Sequence, residues 1–452
     1  MSEKIVVIGA NHAGTACINQ IMTLNPSADV TVFDKNSNIS FLGCGMALWI
    51  GQQITSGDGL FYACKEDFEK KGVKVNMETA VDSIDYDSKT IHYTDKDGQP
   101  GSCSYDKLVL ATGSSPVWPP IPGLDLPYVQ KAKIYQDAAK AVEQLATDKS
   151  IKKVTVVGAG YIGAELAEAY ALQGKEVTLI DALDRILGTH FDKDFSEVMA
   201  ERLKSHGIKI HLSEKVERFE GDSRVRKVVT DKGTYDTDLV MFCIGFKPNN
   251  QLAADRLNLF RNGAIEVNKK QETSEPGVYA IGDCATVYDN SIRATSYIAL
   301  ATNAVRSGLV AAFNICGTEI ESLGVQGSSG LKLYGLKMVC TGQTVETAAK
   351  FGIEATQVDF TAQQKPAFMD EVGANPEVKI RIVYRKDDHV IIGAQLMSEF
   401  DMSATIHLFS LAIQEQVTIE KLALLDIFFM PHFNQPYNYI TMAGLTAVLS
   451  GE

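Results

Sequence analysis

The sequence predicts an α/β protein in which two doubly wound, Rossmann-like domains precede a C-terminal α+β domain. Three observations carry that expectation: a strand–glycine turn–helix–strand pattern that occurs twice, a proline-rich crossing between the copies, and a change to longer strands after Gly327. At 452 residues the chain is too long for one ordinary core, and it suits about three domains.

The first copy runs from the apolar Ile5–Ile8 through Gly9-Ala-Asn11-His12-Ala-Gly14 and an apolar-periodic helix to Leu24. It ends in Val30-Thr-Val-Phe-Asp34. The second copy is Lys153-Val-Thr-Val-Val, then Gly158-Ala-Gly160-Tyr161-Ile162-Gly163, a helix to Leu172, and Val177-Thr-Leu-Ile-Asp181. Each reads as a βαβ unit whose second strand ends in an acid, the Rossmann-like arrangement.

Between the copies, Pro116, Pro119, Pro120 and Pro122 stiffen the chain and break regular structure, which marks a domain crossing. Leu108–Gly113 and Leu239–Gly245 read as strands that deliver a glycine to a ligand. Val278–Asp283 reads as another, ending in Gly282-Asp283, with a helix from Ile298 to Phe313 after it. Beyond Gly327-Ser-Ser-Gly330, segments such as Val378–Tyr384 and Val390–Gln395 predict the strands of a separate domain.

A net charge of −13 weighs against a nucleic-acid or anionic-membrane surface. The eight cysteines (17, 44, 64, 103, 243, 284, 316, 340) form no C-x-x-C, and no histidine pair has metal-ligand spacing. No metal site and no disulfide framework are expected, and a reducing cytoplasm is the expected home. Neither a signal peptide nor a membrane span is expected.

The glycines of Gly158-x-Gly160-x-x-Gly163 permit a tight turn and close approach of a pyrophosphate, which rests on the helix N-terminus. Asp181 can hold both ribose hydroxyls and would repel a 2′-phosphate, so NADH is expected over NADPH. In the first turn Asn11 replaces the middle glycine, and Asp34 stands where Asp181 does in the second. Two such sites imply two dinucleotides, FAD and NADH being the common combination; a degenerate first copy that binds nothing is the alternative.

His12, at the head of the first helix, is expected to be neutral and able to accept a proton. Cys44, in Ser40-Phe41-Leu42-Gly43-Cys44-Gly45, has no neighbouring cysteine to pair with. It is expected to work alone, cycling between thiolate and an oxygenated form. That requires its pKa to be lowered, for which His12 and a helix dipole are candidates. The other seven cysteines are read as structural. Asp283 is either an acceptor for a polyol or a helix cap.

Taken together, the two fingerprints, Ala111-Thr112-Gly113, Gly282-Asp283 and Ser-Phe-Leu-x-Cys44-Gly45 resemble the peroxide/oxygen/disulfide reductase group of pyridine nucleotide flavoproteins, over essentially the whole chain. Asn11-His12-Ala-Gly14, with the approach from Asn36 to Leu42, is most similar to the water-forming NADH oxidases of lactic acid bacteria. The resemblance implies an FAD domain in two parts (1–115 and 245–322), an NADH domain (116–244) and a dimerisation domain (323–452). It implies that Gly9, Asn11, Gly14, Asp34, Ala111, Thr112, Gly113, Lys133, Asp283 and Ala301 hold FAD. Gly160, Ile162, Gly163, Asp181, His190 and Gly245 would line the NADH site, with Tyr161 covering the flavin until nicotinamide displaces it.

The implied activity is a homodimeric oxidase that reduces oxygen to water with two NADH, through a Cys44 thiolate/sulfenic acid cycle with His12 carrying protons. The C-terminal domain would lie near the partner's active site. NADH peroxidase, coenzyme A-disulfide reductase and a non-catalytic NADH sensor are the competing readings. Phe433 falls where the disulfide reductases carry a tyrosine, which weakens that one.

Overall fold

Both glycine turns cap strands whose residues are apolar almost without interruption, the pattern of a parallel sheet covered on both faces. In the computed structural model, which describes residues 3–253 and 255–450, Lys4–Ile8 is the central strand of a five-stranded parallel sheet. The order across that sheet is Val278–Ala280, Lys107–Leu110, Lys4–Ile8, Asp29–Phe33, Lys74–Asn76. The second sheet repeats this plan around Lys153–Val157, in the order Lys209–His211, Glu176–Ile180, Lys153–Val157, Leu239–Phe242, Val129–Gln130.

The echo goes beyond the sheets. Each unit carries a three-stranded antiparallel meander, Ala80–Asp85/Thr90–Thr94/Pro100–Ser104 in the first and Val216–Glu220/Lys227–Thr230/Thr234–Asp236 in the second. Helices His12–Leu24 and Tyr161–Leu172 follow the glycine turns directly, and Ala301–Ile315 packs against the first of them.

The proline segment serves a different purpose from a simple break. Ser114–Pro116 pairs antiparallel with Phe246–Pro248, so the outward and return crossings are stitched together. Pro116 ends its strand at an edge, where its missing N–H costs no ladder bond.

The C-terminal part is a five-stranded antiparallel sheet, Ser329–Leu333, Leu336–Gly342, Ile391–Ser398, Glu377–Arg385, Ala355–Gln363. Helices Ser403–Gln414 and Tyr439–Ser450 close its core around Ile380, Ile382, Leu396 and Phe409. The two expected strands there are longer than the sequence suggested, because both lie in the middle of the sheet. Among the described residues, no helix is long and apolar enough to cross a membrane.

Candidate active site

Parallel sheets place ligands beyond the carboxyl ends of their strands, at the point where strand order reverses. Both such points open here into one continuous cavity of about 2140 Å³. That is more than twice the roughly 300–1,000 Å³ of a single small-molecule site. Of the expected residues, Gly9, Asn11, His12, Asp34, Cys44, Ala111, Thr112, Gly113, Lys133, Gly160, Tyr161, Ile162, Asp181, His190, Gly245, Asp283 and Ala301 all line it.

Gly14 and Gly163 stand behind the turns rather than on the cavity wall. A Cβ on Gly14 would lie 1.9 Å from the carbonyl oxygen of Gly9, and one on Gly163 1.8 Å from that of Gly158. Their part is to let each helix seat against its turn.

The two turns are built alike. Gly9 and Gly158 have φ of +108° and +101°, a conformation that favours glycine. The Ala10 amide donates to Asp34 Oδ2 at 2.7 Å, and the Ala159 amide donates to Asp181 Oδ2. Each terminal acid thus fastens its strand to the glycine turn. Asp34 is buried, and burial holds its carboxyl above the usual range against the lowering effect of amide bonds from Asn36 and Ala10. The middle position explains Asn11: a Cβ on Gly160 would meet nothing within 4 Å. A side chain there costs the fold nothing.

Lys133 and Asp283, 150 residues apart, form an ion pair at 3.1 Å, and Ser114 Oγ donates to the same Asp283 oxygen at 2.7 Å. Asp283 lies in the short turn Gly282–Cys284, so it is no cap of a long helix. Ala301 heads the helix Ala301–Ile315 beside it.

Cys44 sits in the turn Gly43–Gly45, which leads into the helix Met46–Ile50. All eight cysteines are unpaired. Cys17, Cys284 and Cys340 are buried, as a structural role requires, whereas Cys64 is exposed and Cys243 lines the cavity. Buried Ser40 organises the segment: its Oγ donates to the Ala63 carbonyl and accepts from the amides of Tyr62 and Ala63. The Tyr62 hydroxyl then meets His12 Nδ1 at 2.8 Å, with the two rings stacked. One ring nitrogen of His12 is therefore engaged by Tyr62, a partner the sequence did not reveal.

Burial lowers the pKa of His12, so it is neutral near pH 7 as expected, with desolvation as the chief cause. The Cys44 thiol shifts in the opposite direction. Cys44 is exposed to the open cavity; partial desolvation there and the Glu165 carboxylate raise its pKa, while Lys133 works in the other direction. A neutral His12 brings no positive charge to the thiol. Glu165, itself pushed up to about 7 by burial and by Glu168, lies one helical turn after Tyr161 and lines the same cavity. The helix Tyr161–Leu172 packs on Met46–Ile50, so it forms a wall common to the thiol and the second glycine turn.

Tyr161 makes edge-to-face contact with His190 at 4.6 Å, and burial lowers the pKa of that histidine. Ser328, Ser329 and Gly330, from the first strand of the C-terminal sheet and the residue before it, also line the cavity. Their contribution had no signature in the sequence.

Comparison with known proteins agrees with this geometry. Residues 3–308 match the family model "Pyridine nucleotide-disulphide oxidoreductase", and residues 329–438 match that family's dimerisation domain. An NADH oxidase of Streptococcus pyogenes is 55% identical, covering 98% of this chain and 99% of that protein. One from Lactococcus lactis is 49% identical, covering 98% and 100%. The solved structure of the water-forming NADH oxidase from Lactobacillus brevis bound to NADH superposes with a TM-score of 0.96 at 40% identity, covering 99% of each chain. With two glycine turns opening on one cavity and kinship over its full length, the chain belongs to the pyridine nucleotide-disulphide oxidoreductase family.

Proposed function

We propose that this chain is an FAD-dependent NADH oxidase that reduces oxygen to water with two NADH. The observation that carries the reading is the single cavity lined by both glycine turns, both strand-end acids, Cys44 and His12. The residues at the first turn fit FAD. The cradle at Gly9 leaves no room for a side chain, since a Cβ there would lie 2.2 Å from the Ala111 carbonyl oxygen. Asp34 offers a carboxylate at the place of a ribose, and the Lys133–Asp283 pair adds charge further along the cavity. Gly9, Asn11, Ala111, Thr112, Gly113 and Ala301 complete that site, with Gly14 acting from behind.

Gly160, Tyr161, Ile162, Asp181, His190 and Gly245 form the NADH site, and Gly163 supports it. The Asp181 carboxylate favours NADH over NADPH. The return of Val278–Ala280 to the first sheet supports an FAD domain in two parts, 1–115 and 245–322, around an NADH domain of 116–244. The exposed apolar side chains Leu424, Phe428, Phe433 and Leu449 support a homodimer formed through 323–452. Eight unpaired cysteines support residence in a reducing cytoplasm.

When bound, FAD supplies the two-electron chemistry, accepting hydride from NADH and passing electrons to oxygen. The protein's own task is the peroxide step. His12, neutral at rest, takes the proton of the Cys44 thiol. The resulting thiolate attacks one oxygen of hydrogen peroxide, an S–O bond forms, the O–O bond breaks, and the departing hydroxide takes that proton back from His12. The products are water and Cys44 sulfenic acid. Two further electrons, from a second NADH, return the sulfenic acid to thiolate and release a second water. Tyr62 holds the His12 ring in place throughout.

The test counts NADH oxidised per oxygen consumed, without added peroxide. The expected ratio is two for the wild type and one for Cys44→Ser, with peroxide accumulating in the variant. A variant that still makes water removes the role given to Cys44. A wild type that consumes no oxygen without peroxide is a peroxidase instead.

A further inference from the structure

Tyr161 is the one aromatic side chain of the second glycine turn, and its hydroxyl is held from outside its own unit. It shares a 2.8 Å hydrogen bond with Ser329 Oγ and a 3.5 Å contact with Cys340 Sγ, and Ser329 Oγ and Cys340 Sγ lie 3.4 Å apart. Ser329 and Cys340 face each other as register partners on the first two strands of the C-terminal sheet. Cys340 is buried, and burial keeps its thiol protonated; the Tyr161 hydroxyl is likewise kept neutral by burial. Three neutral groups thus close a triangle of mutual hydrogen bonds. Its only member outside the C-terminal sheet is a ring that forms part of the dinucleotide cavity.

The rest of the ring is held by packing against the neighbouring core. It touches His190 edge-on and Phe191 more distantly, and it begins its helix at the first position, directly after Gly160. A side chain at a helix start swings without disturbing the helix behind it. The hydroxyl triangle adds to that packing the directional contacts that hold the ring in its resting position.

We propose that Ser329 and Cys340 form a latch that holds Tyr161 in the cavity, so that nicotinamide enters only by breaking it. They are positioning residues, acting through Tyr161. The inference rests on the reading of Tyr161 as the ring that nicotinamide displaces. Physically, the closed state is stabilised by hydrogen bonds that the open state gives up. Removing one partner leaves a buried hydroxyl under-satisfied in the closed state and lowers the cost of opening. The binding competence of the free enzyme then rises in proportion.

The latch makes a prediction that a merely structural role does not. ADP-ribose carries the adenosine and pyrophosphate of NAD but no nicotinamide, so it has no need to move the ring. Calorimetric binding of NAD⁺ and of ADP-ribose to the oxidised holoenzyme separates the two parts. Ser329→Ala and Tyr161→Phe are each expected to tighten NAD⁺ binding about three- to tenfold, the range set by one net hydrogen bond. ADP-ribose binding is expected to stay unchanged. The double variant should show no more than the larger single effect, since both changes remove the same bond. Ser329→Thr, which keeps the hydroxyl, should return NAD⁺ binding toward the wild-type value.

Unchanged NAD⁺ binding in Ser329→Ala overturns the latch, as does an equal shift for ADP-ribose. Tyr161→Ala tests the underlying reading separately. It should raise NAD⁺ affinity relative to ADP-ribose, and if the ratio stays fixed the ring does not stand in the nicotinamide's place. A raised ratio in Tyr161→Ala together with a fixed one in Ser329→Ala removes the latch alone.

Discussion

Cys44 shows how little of a reactive group's chemistry is contained in its neighbours along the chain. Its glycine-flanked setting identifies it, yet its ionisation is shifted by desolvation and then by Glu165, which belongs to the other nucleotide-binding unit. A carboxylate beside a thiol disfavours the thiolate, so removing that charge lowers the thiol pKa. Glu165→Gln is therefore expected to move the pH profile of Cys44 alkylation by iodoacetamide to lower pH. Because Glu165 titrates at about 7, its charge is already present where the thiol, raised above its ordinary value, loses its proton. An unmoved profile in the variant would show that desolvation alone sets the thiol. The sequence held a hint of this residue, one of two acids, with Glu168, in a helix whose other side chains are apolar or small. By contrast, Tyr62 and Ser329 came to the site only through tertiary packing, and no spacing rule marks them.

At the scale of the elements, the sequence was most informative where backbone geometry dictates residue type. The two βαβ units, their terminal acids and the helices to Leu24 and Leu172 were all legible, since a parallel strand, a glycine turn and a helix start each leave a local signature. The meanders and the Ser114–Pro116/Phe246–Pro248 stitch were not, because antiparallel pairing over long separations leaves no comparable mark. The two turns also differ in what a methyl group would do. Gly9 combines φ of +108° with a Cβ that would lie 2.2 Å from a backbone oxygen. Gly9→Ala is expected to cost about 1–3 kcal/mol or more in stability, and to yield protein with a reduced flavin-to-protein absorbance ratio. Gly160 faces open space. Gly160→Ala should keep the melting temperature within about a degree, while raising KM for NADH by taking the room of the pyrophosphate. Equal losses of stability in the two variants would contradict the distinction.

For the whole molecule, the question is what fixes the C-terminal sheet against the unit that carries Tyr161, since a latch between moving parts would hold nothing. Arg381, in the middle of that sheet and almost fully buried, answers it. Its guanidinium reaches Asp359 on the neighbouring strand at 2.7 Å, and Asp192 and Asp194 at the start of the helix Lys193–Ser205 at 3.0 and 2.9 Å. Lys379 adds a bond to Asp194, and the side chain of Gln395 donates to Asp192. Removing one partner of a buried network costs far more than removing an exposed pair, because the remaining charges stay desolvated and unneutralised. Since Asp194 and Asp359 are partly exposed, the cost of Arg381→Ala should be about 2–4 kcal/mol. In a domain of this size that is roughly 5–10 °C in Tm. Lys204→Ala, which breaks the exposed pair with Glu201, should fall within about 0–1 kcal/mol. The pH dependence has a definite sign. Burial alone would raise Asp194, but Lys379 and Arg381 outweigh it and leave its pKa below the usual range. Its contribution is therefore present above the unfolded value and is lost as pH falls through the folded one. The gap in Tm between wild type and Arg381→Ala should narrow on acidification below about pH 4. A gap that stays constant down to that pH would mean that Arg381 acts by packing on Phe195 rather than by charge.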